Sequence, residues 1–208
     1  KLNAKQIIEN HLSKSDKYNF AFDDLKNYLG YKKNMKKIEA YDISHISGNH
    51  AVASCVVFTN EGPSKKEYRT FNIPKELSGN DVGSLEHVIQ RRIKYYDNKD
   101  TKPDLILIDG GTNQLNFSQS VIHKSEHNDI NVISIVKGIN RIRATETVLS
   151  NDGIIEFNKD SKGYLLLQEI RDESHRFAIN AQRKKKNAKN RKSKLDNIEG
   201  IGEVLKKR

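Results

Sequence analysis

The stretch "IEAYDISH", residues 38–45, has the alternation of a β-strand and carries an acid within it. Side chains of a strand point alternately to its two faces, so Ile38, Ala40 and Asp42 share one face. A carboxylate that faces a protein core is unfavourable unless it is paired with a cation, protonated or bound to a metal. Asp42 is therefore a candidate functional residue, with pairing to an arginine as the structural alternative.

The pattern on either side of this strand predicts an α/β fold with one mixed sheet. A continuous apolar run at Leu105–Ile108 is typical of a strand that is covered on both faces. Short connections favour an antiparallel meander for the first three strands. The predicted strands cover residues 37–45, 51–59, 66–73, 103–111 and 131–138, with a hairpin at 144–157. The predicted helices cover residues 3–13, 20–29, 81–96, 162–180 and the stretch from Gly111 to about 125.

A second acid and a histidine occupy comparable places. Asp109 ends the most apolar strand and precedes Gly110-Gly111, where the chain turns into a helix. In open α/β sheets, sites form at the carboxyl ends of strands. His175 lies on the border between the apolar and polar sides of the last predicted helix. Two carboxylates and an imidazole suit Mg²⁺ or Mn²⁺. The alternatives are a helix cap for Asp109 and a structural role for His175.

Positive charge is concentrated at the C-terminal end of the chain. The net charge is +10, and residues 181–208 carry eleven Lys and Arg against three acids, so residues 1–180 are nearly neutral. Such a segment favours nucleic acid as the partner, with a solvated face as the alternative. The single cysteine, Cys55, excludes an internal disulfide and is predicted to be buried. Without a signal peptide or a long apolar run, we expect a cytoplasmic protein that does not enter a membrane.

Two short motifs carry weaker signals. The run from His123 to His127 has the spacing H-x-x-E-H of some metalloproteases. It lies in a polar stretch at the end of a predicted helix, so we interpret it as chance. Near the C-terminus, Gly200 and Gly202 lie between apolar residues in "IEGIGEVLKK", residues 198–207. A Gly-Ile-Gly hairpin at a helix start presents backbone N–H groups to phosphate, and an ordinary helix turn is the alternative.

The chain contains, in this order, "IEAYDISH", "VASCVVF", "GPSKKEYRTFNI", "PDLILIDGG", "LLLQEIRDESHRFAI" and "LDNIEGIG". Together these stretches resemble the C-terminal half of the UvrC family, the nuclease subunit of bacterial nucleotide excision repair. The resemblance extends from about residue 37 to residue 205. It implies an endonuclease domain of ribonuclease H-like fold, with a mixed sheet flanked by helices, followed by a tandem helix-hairpin-helix domain.

The resemblance also implies roles for particular residues. It places a catalytic, metal-binding triad on Asp42, Asp109 and His175, with Mg²⁺ or Mn²⁺ as the cofactor. A further functional acid of the family falls on Asp81. Lys137 matches a family lysine that could approach phosphate. The other implied DNA-binding residues are Arg183, Lys184, Lys185, Lys186, Gly200 and Gly202.

The implied domains are a helical arm (1–36), the endonuclease domain (37–180), a basic linker (181–194) and the start of a truncated helix-hairpin-helix domain (195–208). The implied function is a metal-dependent DNA endonuclease that cuts on the 5′ side of a lesion. Its partners would be damaged double-stranded DNA and the UvrB–DNA pre-incision complex, whose contact segment in the family is not expected in this chain. Two alternatives stay open, namely another ribonuclease H-like nuclease or strand-transfer enzyme, and a non-catalytic DNA-binding or scaffold module. The departure from the family at Thr112-Asn113, where Thr112 replaces a family lysine, keeps the second alternative open.

Overall fold

The computed structural model describes residues 4–46, 50–96, 101–137 and 146–196. Within those ranges the chain forms four α-helices and eight strands. The helices are α1 (Ala4–Tyr28), α2 (Asp81–Ile93), α3 (Thr112–His123) and α4 (Lys162–Asp196). The strands are β1 (Lys37–Ile46), β2 (His50–Thr59), β3 (Gly62–Pro63), β4 (Arg69–Asn72), β5 (Leu105–Asp109), β6 (Asn131–Lys137), β7 (Glu146–Ser150) and β8 (Gly153–Ile155).

All eight described strands belong to one sheet, in the order β3-β2-β1-β5-β6-β7-β8, with β4 also paired to β2. The β1–β5 and β5–β6 pairs are parallel, and the remaining pairs are antiparallel. The central strand β1 thus joins an antiparallel hairpin on one side to a parallel strand on the other. The predicted α/β class, a mixed sheet flanked by helices, is confirmed.

Helices cover both faces of the sheet, which explains why β5 is apolar throughout. Leu105–Ile108 are each at most 1% exposed. On one face, Arg92 of α2 bonds to Glu39 of β1. On the other face, Ser174 of α4 bonds to Ser54 of β2. Because alternate residues of β1 point to opposite faces, Glu39 belongs to the α2 side and Asp42 to the α4 side.

The N-terminal region is one helix, so the prediction of two short helices at 3–13 and 20–29 was wrong. The polar residues between the two apolar clusters include neither Gly nor Pro, and helical hydrogen bonding therefore continues through them. The buried side chains Tyr18, Phe22 and Leu25 belong to the same core as the sheet. The predicted packing of this helical arm on the core is confirmed.

Helix α4 is longer than the predicted helix, which ended at residue 180. It continues to Asp196 and includes residues 181–194, which were predicted as a basic linker. This stretch lacks Gly and Pro and is rich in Lys and Arg, which are good helix formers. The division of the chain into domains stays a prediction, but residues 181–196 are helical.

The third predicted strand, at 66–73, is also shorter in the structure. Residues Lys65–Glu67 form a 3₁₀ turn, and only Arg69–Asn72 pairs with β2. The turn is held by the Ser64 hydroxyl, which donates to the Glu67 carboxylate at 2.8 Å.

None of the helices in the described part of the chain combines the length and apolar character needed to cross a membrane.

Candidate metal centre

The register of two neighbouring strands brings the two predicted aspartates side by side. In the parallel β1–β5 pair, Tyr41 lies opposite Ile108. Asp42 and Asp109 are the next residues of their strands, so they lie side by side where β5 ends and share the face that α4 covers. The sequence alone predicted Asp42 within the first strand and Asp109 at the end of its strand, and the strand order makes them neighbours.

His175 completes a group of three that could hold a metal ion. One ligand atom from each of Asp42, Asp109 and His175 lies within 4.8 Å of the other two. The Nδ1 atom of His175 is 3.3 Å from Oδ2 of Asp42. The Asp42 side chain is 9% exposed and that of His175 is 53% exposed, while Asp109 is half-buried. The group is therefore buried at Asp42 and open to solvent at His175.

The donor set fits a divalent cation. Two carboxylates provide the hard oxygen ligands that Mg²⁺ and Mn²⁺ prefer, and an imidazole nitrogen is also acceptable to Mn²⁺. Two carboxylates this close repel each other, and a bound cation relieves that repulsion. The residues present at Asp42, Asp109 and His175 thus suit the metals predicted from the sequence.

A pair of buried serines joins β2 to α4 next to His175. Ser54 lies opposite Asp42 in the β1–β2 register and therefore shares its face. The Ser54 hydroxyl lies 3.3 Å from the backbone oxygen of Ser174, to which it donates, and 3.4 Å from the Ser174 hydroxyl. Both serines are at most 1% exposed. Since Ser174 directly precedes His175, this contact seats α4 where the imidazole reaches Asp42.

A buried polar network supports β1 on its opposite face. The Glu39 carboxylate is fully buried and accepts hydrogen bonds from Arg92 (3.0 Å from Nε) and from the hydroxyls of Tyr41 and Tyr96 (both 2.6 Å). Burial raises the pKa of both tyrosines well above their ordinary value, so they remain donors. Burial would lower the pKa of Arg92, but its bonds to Glu39 hold that pKa above its ordinary range. The network joins α2 to the strand that carries Asp42.

Asp81, the further acid predicted from the family, lies outside this group of three. It is the first residue of α2, after Asn80, whose side chain accepts a hydrogen bond from the Gly83 N–H at 2.9 Å. Asp81 lines a groove of about 600 Å³ that is bounded by residues 79–82 and 111–114. The second of these stretches begins two residues after Asp109. None of the three residues of the candidate metal centre lines the groove, so a role for Asp81 at that centre stays a prediction.

The remaining predicted residues are distributed over the edge of the sheet and α4. Lys137 ends β6, two residues beyond the partner of Asp109 in that strand. Arg183 and Lys184 are exposed on α4, and Lys185 and Lys186 follow them in the same helix. The predicted hairpin glycines, Gly200 and Gly202, lie outside the described residues.

Two other sequence predictions have clear outcomes. The His123–His127 motif does not form a site with the triad, because His123 is exposed at the end of α3 and the His127 ring stacks edge-on against Tyr96 at 5.5 Å. Cys55 is fully buried, as predicted. Burial raises the pKa of its thiol well above the ordinary value, which makes it a poor nucleophile.

Sequence reasoning missed a charged pair beside the site. Arg171 of α4 forms an ion pair with Glu146 of β7, and both side chains are largely buried. The only available signal was the position of Arg171 one helical turn before His175. Nothing in the alternation around Glu146 distinguished it from an exposed hairpin residue.

Comparison with known proteins identifies the family. The model of the UvrC RNase H endonuclease domain matches residues 26–179. The UvrABC system protein C of Francisella tularensis is 34% identical over 209 residues, which cover 99% of this chain and 34% of that protein. The protein of the same name from Pseudomonas putida is 37% identical over 203 residues, which cover 96% of this chain and 33% of that protein. The chain spans about a third of the length of these curated relatives.

A solved structure of endonuclease V from Ciona intestinalis, in complex with inosine-containing DNA, is also similar. The alignment covers 66% of this chain and 60% of that one, with 14% identity and a TM-score of 0.38. The family assignment rests on the sequence matches and not on this likeness.

Proposed function

The chain belongs to the UvrC RNase H endonuclease domain family, and from this membership we propose that it makes the 5′ incision of nucleotide excision repair as a metal-dependent DNA endonuclease of the cytoplasm. The reaction is hydrolysis of a phosphodiester bond. The observation that carries the proposal is the convergence of Asp42, Asp109 and His175 on one face of the sheet, with ligand atoms within 4.8 Å of one another.

Asp42, Asp109 and His175 would hold Mg²⁺ or Mn²⁺. When bound, such an ion supplies positive charge that stabilises the leaving oxygen and lowers the pKa of water. Asp42 provides a fixed anionic group, because it is buried on a central strand. The opposite face of that strand is held by the Glu39 network. Asp109 provides the second anionic group from the adjacent strand.

His175 lies at the open side of the centre, where DNA would approach. Its side chain is 53% exposed, and Nδ1 faces Asp42. The imidazole either completes the ligand set or carries a proton between Asp42 and solvent, and both roles need the ring held where α4 places it. The exposed side of the centre leaves space for a phosphate of the substrate.

The proposed substrate is damaged double-stranded DNA, presented by the UvrB–DNA pre-incision complex. Arg183 and Lys184 are exposed on α4, eight and nine residues after His175, and continue into a strongly basic stretch. Arginine and lysine bind phosphate oxygens without reading the base sequence, so this end of α4 is suited to the DNA backbone. The basic stretch and Lys137 are the proposed DNA contacts.

The test uses the complete protein that carries this chain and a lesion-containing duplex labelled at its 5′ end. We expect 5′ incision in Mg²⁺ when the damage-loaded UvrB complex is present, none in EDTA, and none with Asp42→Ala. Cleavage without the partner complex would favour another nuclease function. If wild type and Asp42→Ala bind Mn²⁺ equally weakly and neither cuts, the chain is a DNA-binding module.

A further inference from the structure

The ion pair between Arg171 and Glu146 lies beside the candidate metal centre and is largely withdrawn from solvent. The two side chains are 12% and 6% exposed. A buried charge is costly unless its partner is held close, so each residue strongly restrains the other. Arg171 also donates to Oδ1 of Asp172 at 2.5 Å, which fixes the orientation of its guanidinium.

Strand register puts Glu146 on the same face as the metal ligands. Asp109 pairs with Ile135 of β6, and Ile135 pairs with Val148 of β7. Two residues further toward the carboxyl end of β6, Lys137 pairs with Glu146. Residues two apart in a strand share a face, so the Glu146 side chain emerges on the α4 side, just beyond the level of Asp109.

Helix α4 holds Glu146 at two points. Tyr164 lies about two turns before Arg171, on the same side of the helix. Its hydroxyl donates to the backbone oxygen of Glu146 at 3.1 Å, while Arg171 pairs with the carboxylate. His175 follows one turn after Arg171, so the side of α4 that holds β7 continues toward the imidazole.

The helix is therefore attached to the sheet on both sides of the strand that carries Asp42. Ser174 ties it to β2, and Arg171 ties it to β7. His175 directly follows Ser174 and reaches Asp42, on the strand next to β2, at 3.3 Å. A rotation or translation of α4 that displaced the imidazole would have to break at least one attachment.

We propose that Arg171 and Glu146 are positioning residues that hold His175 next to Asp42 and so set the distances between the metal ligands. This inference rests on the proposed function of the same site. Neither residue belongs to the group that could bind the ion directly, so each acts through the placement of α4. Residues that orient metal ligands typically change metal affinity by about 10- to 100-fold when they are replaced.

The test measures Mn²⁺ binding by electron paramagnetic resonance, with folding checked by circular dichroism. We expect Arg171→Ala and Glu146→Gln to weaken Mn²⁺ affinity by about 10- to 100-fold. The double charge reversal, Arg171→Glu with Glu146→Arg, should recover affinity relative to either single reversal. Arg176→Ala is the matched control, because Arg176 pairs with Glu173 on the same helix but is 68% exposed. Its affinity should stay within about twofold of wild type.

A second measurement judges positioning without metal. In metal-free crystal structures, the distance from His175 Nδ1 to Asp42 Oδ2 should exceed hydrogen-bonding range in Glu146→Gln and stay near 3.3 Å in Arg176→Ala. An unchanged distance together with wild-type Mn²⁺ affinity overturns the inference. A wild-type chain that binds no Mn²⁺ contradicts the proposed function instead, and positioning is then decided by the metal-free distances. Folded variants that bind Mn²⁺ normally but lose incision would make Arg171 a DNA contact, which also overturns positioning.

Discussion

Nδ1 of His175 lies 3.3 Å from Oδ2 of Asp42, although 133 positions separate the two residues in the chain. This contact joins the last helix to the first strand of the sheet. Asp109 enters the same group from the strand next to β1. The three ligands of the candidate centre therefore come together only when α4 packs against the sheet.

Removing either aspartate should abolish activity without unfolding the protein. In Asp42→Ala or Asp109→Ala, we expect the loss of 5′ incision and of Mn²⁺ binding, because one anionic ligand is gone. Thermal stability without metal should equal or exceed that of wild type, since repulsion between neighbouring carboxylates is relieved. Incision assays and thermal unfolding measure the two effects. Asp160→Ala, at an exposed position, is the control, and normal cutting by both site variants would refute the metal-site assignment.

Replacement of the histidine should depend on the metal supplied. We expect His175→Ala to lose more incision activity in Mg²⁺ than in Mn²⁺, because Mn²⁺ tolerates a wider range of ligand sets. Rates measured in parallel with each ion test this expectation. Wild-type rates in both metals would return His175 to a structural role.

Strand patterns were enough to predict the two aspartates of this site as separate candidates. Asp42 interrupts an apolar face and Asp109 ends an apolar run, and both features are local. Their adjacency depends on β1 lying next to β5, which is a property of strand order. The resemblance to a family grouped the two aspartates with His175 as a triad, and periodicity alone did not.

The errors arose where local signals were weak. Helix α1 was predicted as two helices and the end of α4 was placed too early, because polar residues were interpreted as boundaries. Neither residues 14–19 of α1 nor residues 181–196 of α4 include Gly or Pro. Glu146 was missed because its burial comes from contact with Arg171, 25 positions further along the chain. Tertiary packing of this kind leaves no periodic trace in the sequence.

Breaking the buried pair behind β1 should be costly. In Arg92→Leu, the fully buried Glu39 carboxylate loses its ion partner, and we expect a loss of about 3–5 kcal/mol in the free energy of unfolding. Glu39→Leu with Arg92→Leu should cost less than the sum of the single changes, because no uncompensated charge remains. Urea unfolding of the four proteins measures this coupling. Strict additivity would mean that the two residues do not act as a pair.

The pair of Lys37 and Glu67 should make stability depend on acid pH. Burial raises the pKa of Glu67, but hydrogen bonds from Lys37 and Ser64 outweigh that effect and hold it below the ordinary 4.5. A carboxyl whose pKa is lowered by folding stabilises the protein above its unfolded pKa and loses that contribution as pH falls through the folded value. We therefore expect Glu67→Gln to be less stable than wild type at pH 7.

The difference between Glu67→Gln and wild type should shrink as the pH is lowered below 4.5, where the carboxyl of the wild-type protein becomes protonated. Urea unfolding at a series of pH values measures it. Glu76→Gln, at an exposed position, is the control. A gap that stays constant down to the lowest pH at which the protein folds would contradict the linkage.

The basic C-terminal stretch should dominate binding to undamaged DNA. Residues 181–208 carry +8 of the net charge of +10, from eleven basic and three acidic residues. If this stretch neutralises about four to six phosphates, the logarithm of the binding constant should fall with the logarithm of salt concentration with a slope of about −4 to −5.

Truncation after Lys184 keeps the half-buried residues Ala181 and Gln182 and removes most of that charge. It should flatten the slope and weaken binding equally on every sequence, while Mn²⁺ affinity stays unchanged. Fluorescence anisotropy across a salt series measures the slope, and a truncated chain that keeps the full slope would place the DNA contacts on the sheet and the described helices instead.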